Sequence, residues 1–173
     1  AAMGDDLMRP TLCEDALRLG RILAELMPNE PEVHGLVARM EIQASRLGAR
    51  TSPNGEPILL LEQNRARWDQ LLIRRGLAAL DRAARIGVPR GTYVLQAEIA
   101  ACHARARTND ETSWVRIVAL YGELARLEAS PIVELNRAVA VSMAEGPAAG
   151  LAAVDAIAAA AALKGYHLLP AVR

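Results

Sequence analysis

One helical phrase occurs twice in this chain, and it constrains the fold more than any other feature. The first copy runs Leu26-Met27-Pro28-Asn29-Glu30-Pro31-Glu32-Val33-His34-Gly35-Leu36-Val37-Ala38-Arg39-Met40. The second runs Leu127-Glu128-Ala129-Ser130-Pro131-Ile132-Val133-Glu134-Leu135-Asn136-Arg137-Ala138-Val139-Ala140. An amphipathic run, Leu19–Glu25 or Leu120–Arg126, leads into each. Each copy therefore reads as helix, proline-marked turn, helix. Pro31 and Pro131 fall at a first helical turn, where a backbone N–H would have no partner anyway. A helix pair cannot bury its apolar face alone, so recurring pairs imply stacking.

Composition agrees with a tightly packed all-α fold. Apolar residues make up 52% of the 173, yet aromatics only 3%, with no Phe. The core must be Leu, Ala, Val and Ile, and small Ala side chains let helices approach closely. The expected architecture is a tetratricopeptide-like array of seven or eight antiparallel helices. Concave faces of such arrays bind other proteins. The 20 basic and 20 acidic residues cancel, which argues against a domain that grips nucleic acid through phosphates. Cys13 and Cys102 stand isolated with no secretion signal, so reduced thiols and a cytoplasmic location are expected. The Ala-rich run from Gly150 to Leu163 is too short, and too interrupted by Asp155, to cross a membrane.

Along the chain, residues 1–10 read as the tail of an upstream linker and 11–173 as a single domain, so the chain is expected to be a piece of a longer protein. Helix one spans about 12–26, with Thr11 as N-cap, Glu14 completing a capping box, and Leu12, Ala16, Leu19, Leu23 and Leu26 as its buried stripe. Helix two runs from Pro31 to about Leu47, ending near Gly48. Asn54-Gly55 marks a turn, and Ile58–Leu61 reads as extended. Helix three covers about 65–86, with a break near Trp68. Its polar residues Arg67, Gln70, Arg74, Asp81 and Arg85 form one narrow stripe, which predicts a central helix packed on several sides. Arg75, inside the apolar arc, needs a carboxylate partner or a path to solvent. Helices four to seven are expected near 93–107, 113–128, 131–144 and 147–160, and an eighth begins near Gly165. Ala-rich helices seven and eight are expected either to pack on a continuation of the chain or, in a fragment, to expose an apolar patch and form a homodimer.

Candidate chemistry is sparse. His34, His103 and His167 lack a helical metal-site spacing, so no metal is expected. Neither a phosphate-binding glycine loop nor a nucleophile elbow is present, and no cofactor is expected. An enzyme would need clustered titratable groups, for example around Glu98, His103 and Arg137. The richest polar run is Glu62–Asp69. Arg65, Arg67 and Trp68 there suit a partner-binding patch, because Arg and Trp dominate interface hot spots. The structural alternative is favoured: Trp68 fills the core, and Arg65 or Arg67 pairs with a carboxylate. Asn136 and Arg137 sit mid-helix, where Asn is unfavourable unless it bonds something. They suit either a bound peptide or a neighbouring loop.

Several phrases together resemble one group of bacterial extracytoplasmic-function RNA polymerase sigma factors, in their C-terminal extension. These are Leu12-Cys13-Glu14-Asp15-Ala16-Leu17-Arg18-Leu19, Leu26–Val33, Arg65-Ala66-Arg67-Trp68-Asp69, Leu95–Ala104, Ser130–Ala140 and Gly165–Pro170. The resemblance implies a regulatory, protein-interaction domain in transcription initiation, and no enzyme. Its expected partners are the RNA polymerase core or the sigma-2 and sigma-4 regions of the same protein. Promoter DNA would be reached only through those absent regions. Arg65, Arg67, Trp68, Asn136 and Arg137 are the positions the resemblance offers for such contacts. The rival readings are a free-standing scaffold that binds a peptide and, further off, a small helical enzyme.

Overall fold

A computed structural model of the chain describes residues 10–87 and 89–159. Seven α-helices account for most of them: α1 Pro10–Leu26, α2 Pro31–Ala44, α3 Gln70–Ile86, α4 Thr92–Arg105, α5 Trp114–Leu127, α6 Pro131–Glu145 and α7 Pro147–Ala159. Among the described residues there is no strand, only an isolated bridge between Thr51 and Pro57 that closes the loop around Gly55. The fold is all-α, as the repeat and the composition require. The expected eighth helix and His167 lie outside the described residues. The chain divides into two compact units, Ala1–Thr112 and Ser113–Arg173.

In the first unit α2 is the central helix, packed by α1, α3 and α4. Its buried residues, Pro31, Val33, His34, Gly35, Val37, Ala38, Glu41 and Ile42, lie on several sides of the helix. This corrects the expectation for α3, which buries one face only: Ile73, Gly76, Ala79, Leu80 and Ala83. Arg75 is exposed and reaches solvent directly. Glycines set the helix spacing around α2. A Cβ at Gly35 would lie 2.6 Å from the Val94 backbone nitrogen, and one at Gly76 would lie 2.9 Å from the Ala38 carbonyl oxygen. Only residues without a side chain permit those approaches.

The helix ends follow local chemistry. Asp69 caps α3 by accepting from the Leu71 and Leu72 amides at 2.8 and 3.0 Å. Gly87, at φ 76°, closes its other end in the left-handed region. Helix α2 stops at Ala44, before the expected Gly48, because Ser45 Oγ turns back to the Ile42 carbonyl at 2.7 Å and a 3₁₀ turn, Leu47–Ala49, follows. The break near Trp68 is real: Arg65–Arg67 form a 3₁₀ turn ahead of α3. Leu60–Glu62 is another such turn, where extended chain was expected. Thr11 lies inside α1, which already begins at Pro10, so it is not the N-cap.

Helix α1 overturns another expectation. It turns Leu17 and Gly20 inward, with Cys13 and Ala24 partly covered, and the Arg21 Nε donates at 2.7 Å to Glu41 of α2. Of the stripe expected to be buried, Leu12, Leu19 and Leu26 are 55%, 61% and 74% exposed, Ala16 is exposed too, and only Leu23 is partly covered. Periodicity locates an apolar stripe but not which stripe a neighbour covers.

In the second unit α6 packs between α5 and α7. Leu135, Ala138 and Val154 form its core, with Ala153 and Ile157 against them. Ser130 precedes the N1 proline of α6, and Gly146, at φ 102°, ends the helix before Pro147 starts α7.

Candidate partner-binding surfaces

The polar run Glu62–Asp69 is mainly a latch. Trp68 is 4% exposed and packs with Ala49 and Ile73, while Leu60, Leu77 and Ala104 border them. The guanidinium groups of Arg65 and Arg46 lie over its ring, 5.0 and 5.7 Å from the centroid. Arg65 then reaches the C-terminal end of α4. Its Nη1 donates to the His103 carbonyl and, at 2.8 Å, to the Ala106 carbonyl. Its Nη2 donates to Asn109 Oδ1 at 2.7 Å and Thr112 Oγ1 at 3.2 Å. A guanidinium over the last carbonyls of a helix is favourable twice, by hydrogen bonding and by the helix dipole. The expected carboxylate partner is replaced by these carbonyls.

The opposite end of α4 is capped from α2. Gly91 occupies the N-cap and has no side chain to offer. The Glu32 carboxylate fills that role, accepting from the Gly91, Tyr93 and Val94 amides at 3.1, 2.8 and 3.2 Å. A Cβ at Gly91 would lie 2.4 Å from the Glu32 carboxyl carbon. Neither contact was visible in the sequence. The only signal was Glu32 in the first turn of a helix, which reads equally well as support for its own dipole.

Burial and the neighbouring Arg46 and Arg65 hold His103 neutral, lowering its pKa to about 4. Burial beside Arg50 and Arg65 also lowers Arg46 to about 10. Glu98 pairs with Arg90 at 2.9 Å. His34 is buried, with its Nε2 donating to the Pro28 carbonyl at 2.8 Å. Cys13 and Cys102 are free thiols, both partly buried. Among the described residues no group of three or more His, Cys, Asp or Glu side chains is placed to hold a metal. None of the described helices is long and apolar enough to cross a membrane.

Of the five candidate contact residues, Trp68 is buried and Arg65 is committed to α4. Arg67, Asn136 and Arg137 are exposed. Arg67 belongs to the first unit. Arg137 and Glu134 form an i,i+3 pair at 3.3 Å on α6. Both line a groove of about 540 Å³ in the second unit. Its walls are apolar and small: Ala125, Pro131, Ala138, Val141, Ala153 and Ile157 among them. An open, largely apolar trough with one charged pair can seat a helix or an extended peptide.

No solved structure matches the chain. Over all 173 residues the chain is 44% identical to an uncharacterized protein of Rhizobium meliloti (strain 1021), in an alignment that takes 100% of this chain and 40% of that protein. The chain thus spans about two fifths of that relative's length. Residues 1–84, which include α1 and α2, match a family of unknown function (DUF6596).

Proposed function

We propose that this chain is a non-catalytic regulatory module of a sigma factor of the extracytoplasmic-function type. It acts in the cytoplasm through contacts with sigma regions or core RNA polymerase. The observation that carries the reading is the groove of the second unit, with Arg137 and Glu134 beside an apolar floor. The phrases Arg65–Asp69 and Ser130–Ala140, which suggested the sigma-factor extension, fall on the α4 latch and on the wall of that groove. Support also comes from the relative, which is much longer than this chain. The module works by position. It shifts transcription only if it binds polymerase-competent and incompetent arrangements with different affinity.

The test is a pull-down of purified core RNA polymerase and of isolated sigma-2 and sigma-4 regions by this chain, alongside Arg137→Ala and Arg67→Ala. Capture that Arg137→Ala weakens supports the reading and names its surface. Absence of capture by every one of these partners sinks it and leaves the groove as a seat for an unrelated peptide.

A further inference from the structure

The turn between α1 and α2 and the C-terminal end of α3 border a cleft of about 560 Å³ in the first unit. Asn29, His34, Arg82 and Arg85 are its polar lining, and no carboxylate is among its lining residues. Arg82 and Arg85 stand one turn apart on α3, and neither forms an ion pair or hydrogen bond among the described residues. His34 is 4% exposed. Its Nε2 lies 2.8 Å from the Pro28 carbonyl. A carbonyl only accepts, so the ring proton is on Nε2, and the neutral imidazole keeps a lone pair on Nδ1. That Nδ1 is buried and has no hydrogen-bond partner. Native folds rarely leave a buried acceptor without a donor. The lining thus joins two uncommitted guanidinium groups to one uncommitted lone pair. It suits a ligand that is anionic and also carries an O–H.

We propose that this cleft is a binding site for hydrogen phosphate. Arg82 and Arg85 hold its charged oxygens through charge-assisted hydrogen bonds, and the Asn29 amide donates to a third oxygen. The P–O–H donates to His34 Nδ1. Four tetrahedral oxygens can serve donors from α3 and from the turn together, whereas an ionised carboxylate offers two oxygens and no O–H. Sulfate has the shape and the charge but no proton to give. Arg85 lies in the last turn of α3, whose free carbonyls repel an anion, so the site needs both guanidinium groups. The cleft is separate from the groove of the second unit and does not depend on the function proposed for it.

Nuclear magnetic resonance titrations of the 173-residue chain with inorganic phosphate and with sulfate test the proposal, at constant ionic strength. At about pH 8 both are tetrahedral dianions and differ by one O–H. The expected result is saturable shifts at Asn29 and His34 with a dissociation constant on the order of 1 mM for phosphate, and sulfate at least about tenfold weaker. Arg82→Gln and Arg85→Gln should each weaken phosphate at least about fivefold. Both positions are exposed, so circular dichroism melts should coincide with the wild type. His34→Gln keeps an N–H for the Pro28 carbonyl and removes Nδ1, so it should erase the preference for phosphate over sulfate. No saturable shift below about 20 mM phosphate, equal affinity of the wild type for sulfate, or binding indifferent to both arginine substitutions overturns the proposal.

Discussion

Removing the Glu32 carboxylate should loosen the first unit more than a half-exposed acidic residue ordinarily would. The carboxylate accepts the amides of Tyr93 and Val94, the second and third residues of α4, which an N-cap side chain would otherwise hold. A hydrogen bond to a charged group contributes about 1.5–3 kcal/mol, and three bonds to one carboxylate do not add. In Glu32→Ala the Gly91 and Tyr93 amides turn to water. Val94 is buried, so its amide stays unpaired at about 1–3 kcal/mol. Loss of negative charge at the helix N-terminus adds about 0.3–1 kcal/mol. The expected cost of Glu32→Ala is about 2–4 kcal/mol. Glu32→Gln, which keeps a neutral acceptor, should cost about half of that. Urea unfolding followed by Trp68 fluorescence in a Trp114→Phe background reads the first unit by itself. Hydrogen exchange at the Val94 amide should quicken in step. A loss below about 0.5 kcal/mol for Glu32→Ala, the range of neutral surface changes, would refute the capping argument.

Gly91→Ser brings its Cβ against the Glu32 carboxyl group, the far end of a flexible side chain that can swing aside, while the serine hydroxyl serves as N-cap in its place, so stability should change by less than about 1 kcal/mol. A larger loss in urea titrations would show that the cap needs the glycine. Arg65→Lys keeps the charge but cannot span the His103, Ala106, Asn109 and Thr112 acceptors. It should cost about 1–3 kcal/mol in urea titrations, and equal stability would mean the latch is ornamental. His103 titrates near 4 in the folded chain, below its ordinary 6.5. The unfolded state therefore binds the extra proton between those values. Its contribution is fully present above about pH 6.5 and is lost as pH falls toward 4, by roughly 3 kcal/mol at most. His103→Gln should flatten the slope of stability against pH in that window, and an unchanged slope would clear His103 of the effect.

Helix content and most boundaries were legible in the residues, because their causes are local. Pro31, Pro131 and Pro147 set helix starts, Gly87 and Gly146 permit the backbone that ends them, and apolar residues recur at helical spacing. The burial of Trp68 was also legible, since a large aromatic beside an apolar helix has few other places to go. The latch was legible in outline only. Its partners stand 38 to 47 residues away from Arg65, and the sequence suggested a carboxylate where carbonyls serve.

Other features depend on which surfaces meet, and no local rule encodes that. The heptad-like stripe of α1 reads as core in any periodicity analysis, yet α2 takes the side around Leu17 and Gly20 and leaves Leu12, Leu19 and Leu26 outside. Helix α2 is central because Gly35 and Gly76 let two neighbours approach it, a fact of pairing across the chain. Glu32 caps a helix that begins 60 residues later. Propensity and capping act within a few residues, so the sequence alone determined the helices. Burial and long-range hydrogen bonds depend on what lies opposite, so only the tertiary structure decided the core, the α4 caps and which α1 leucines are exposed.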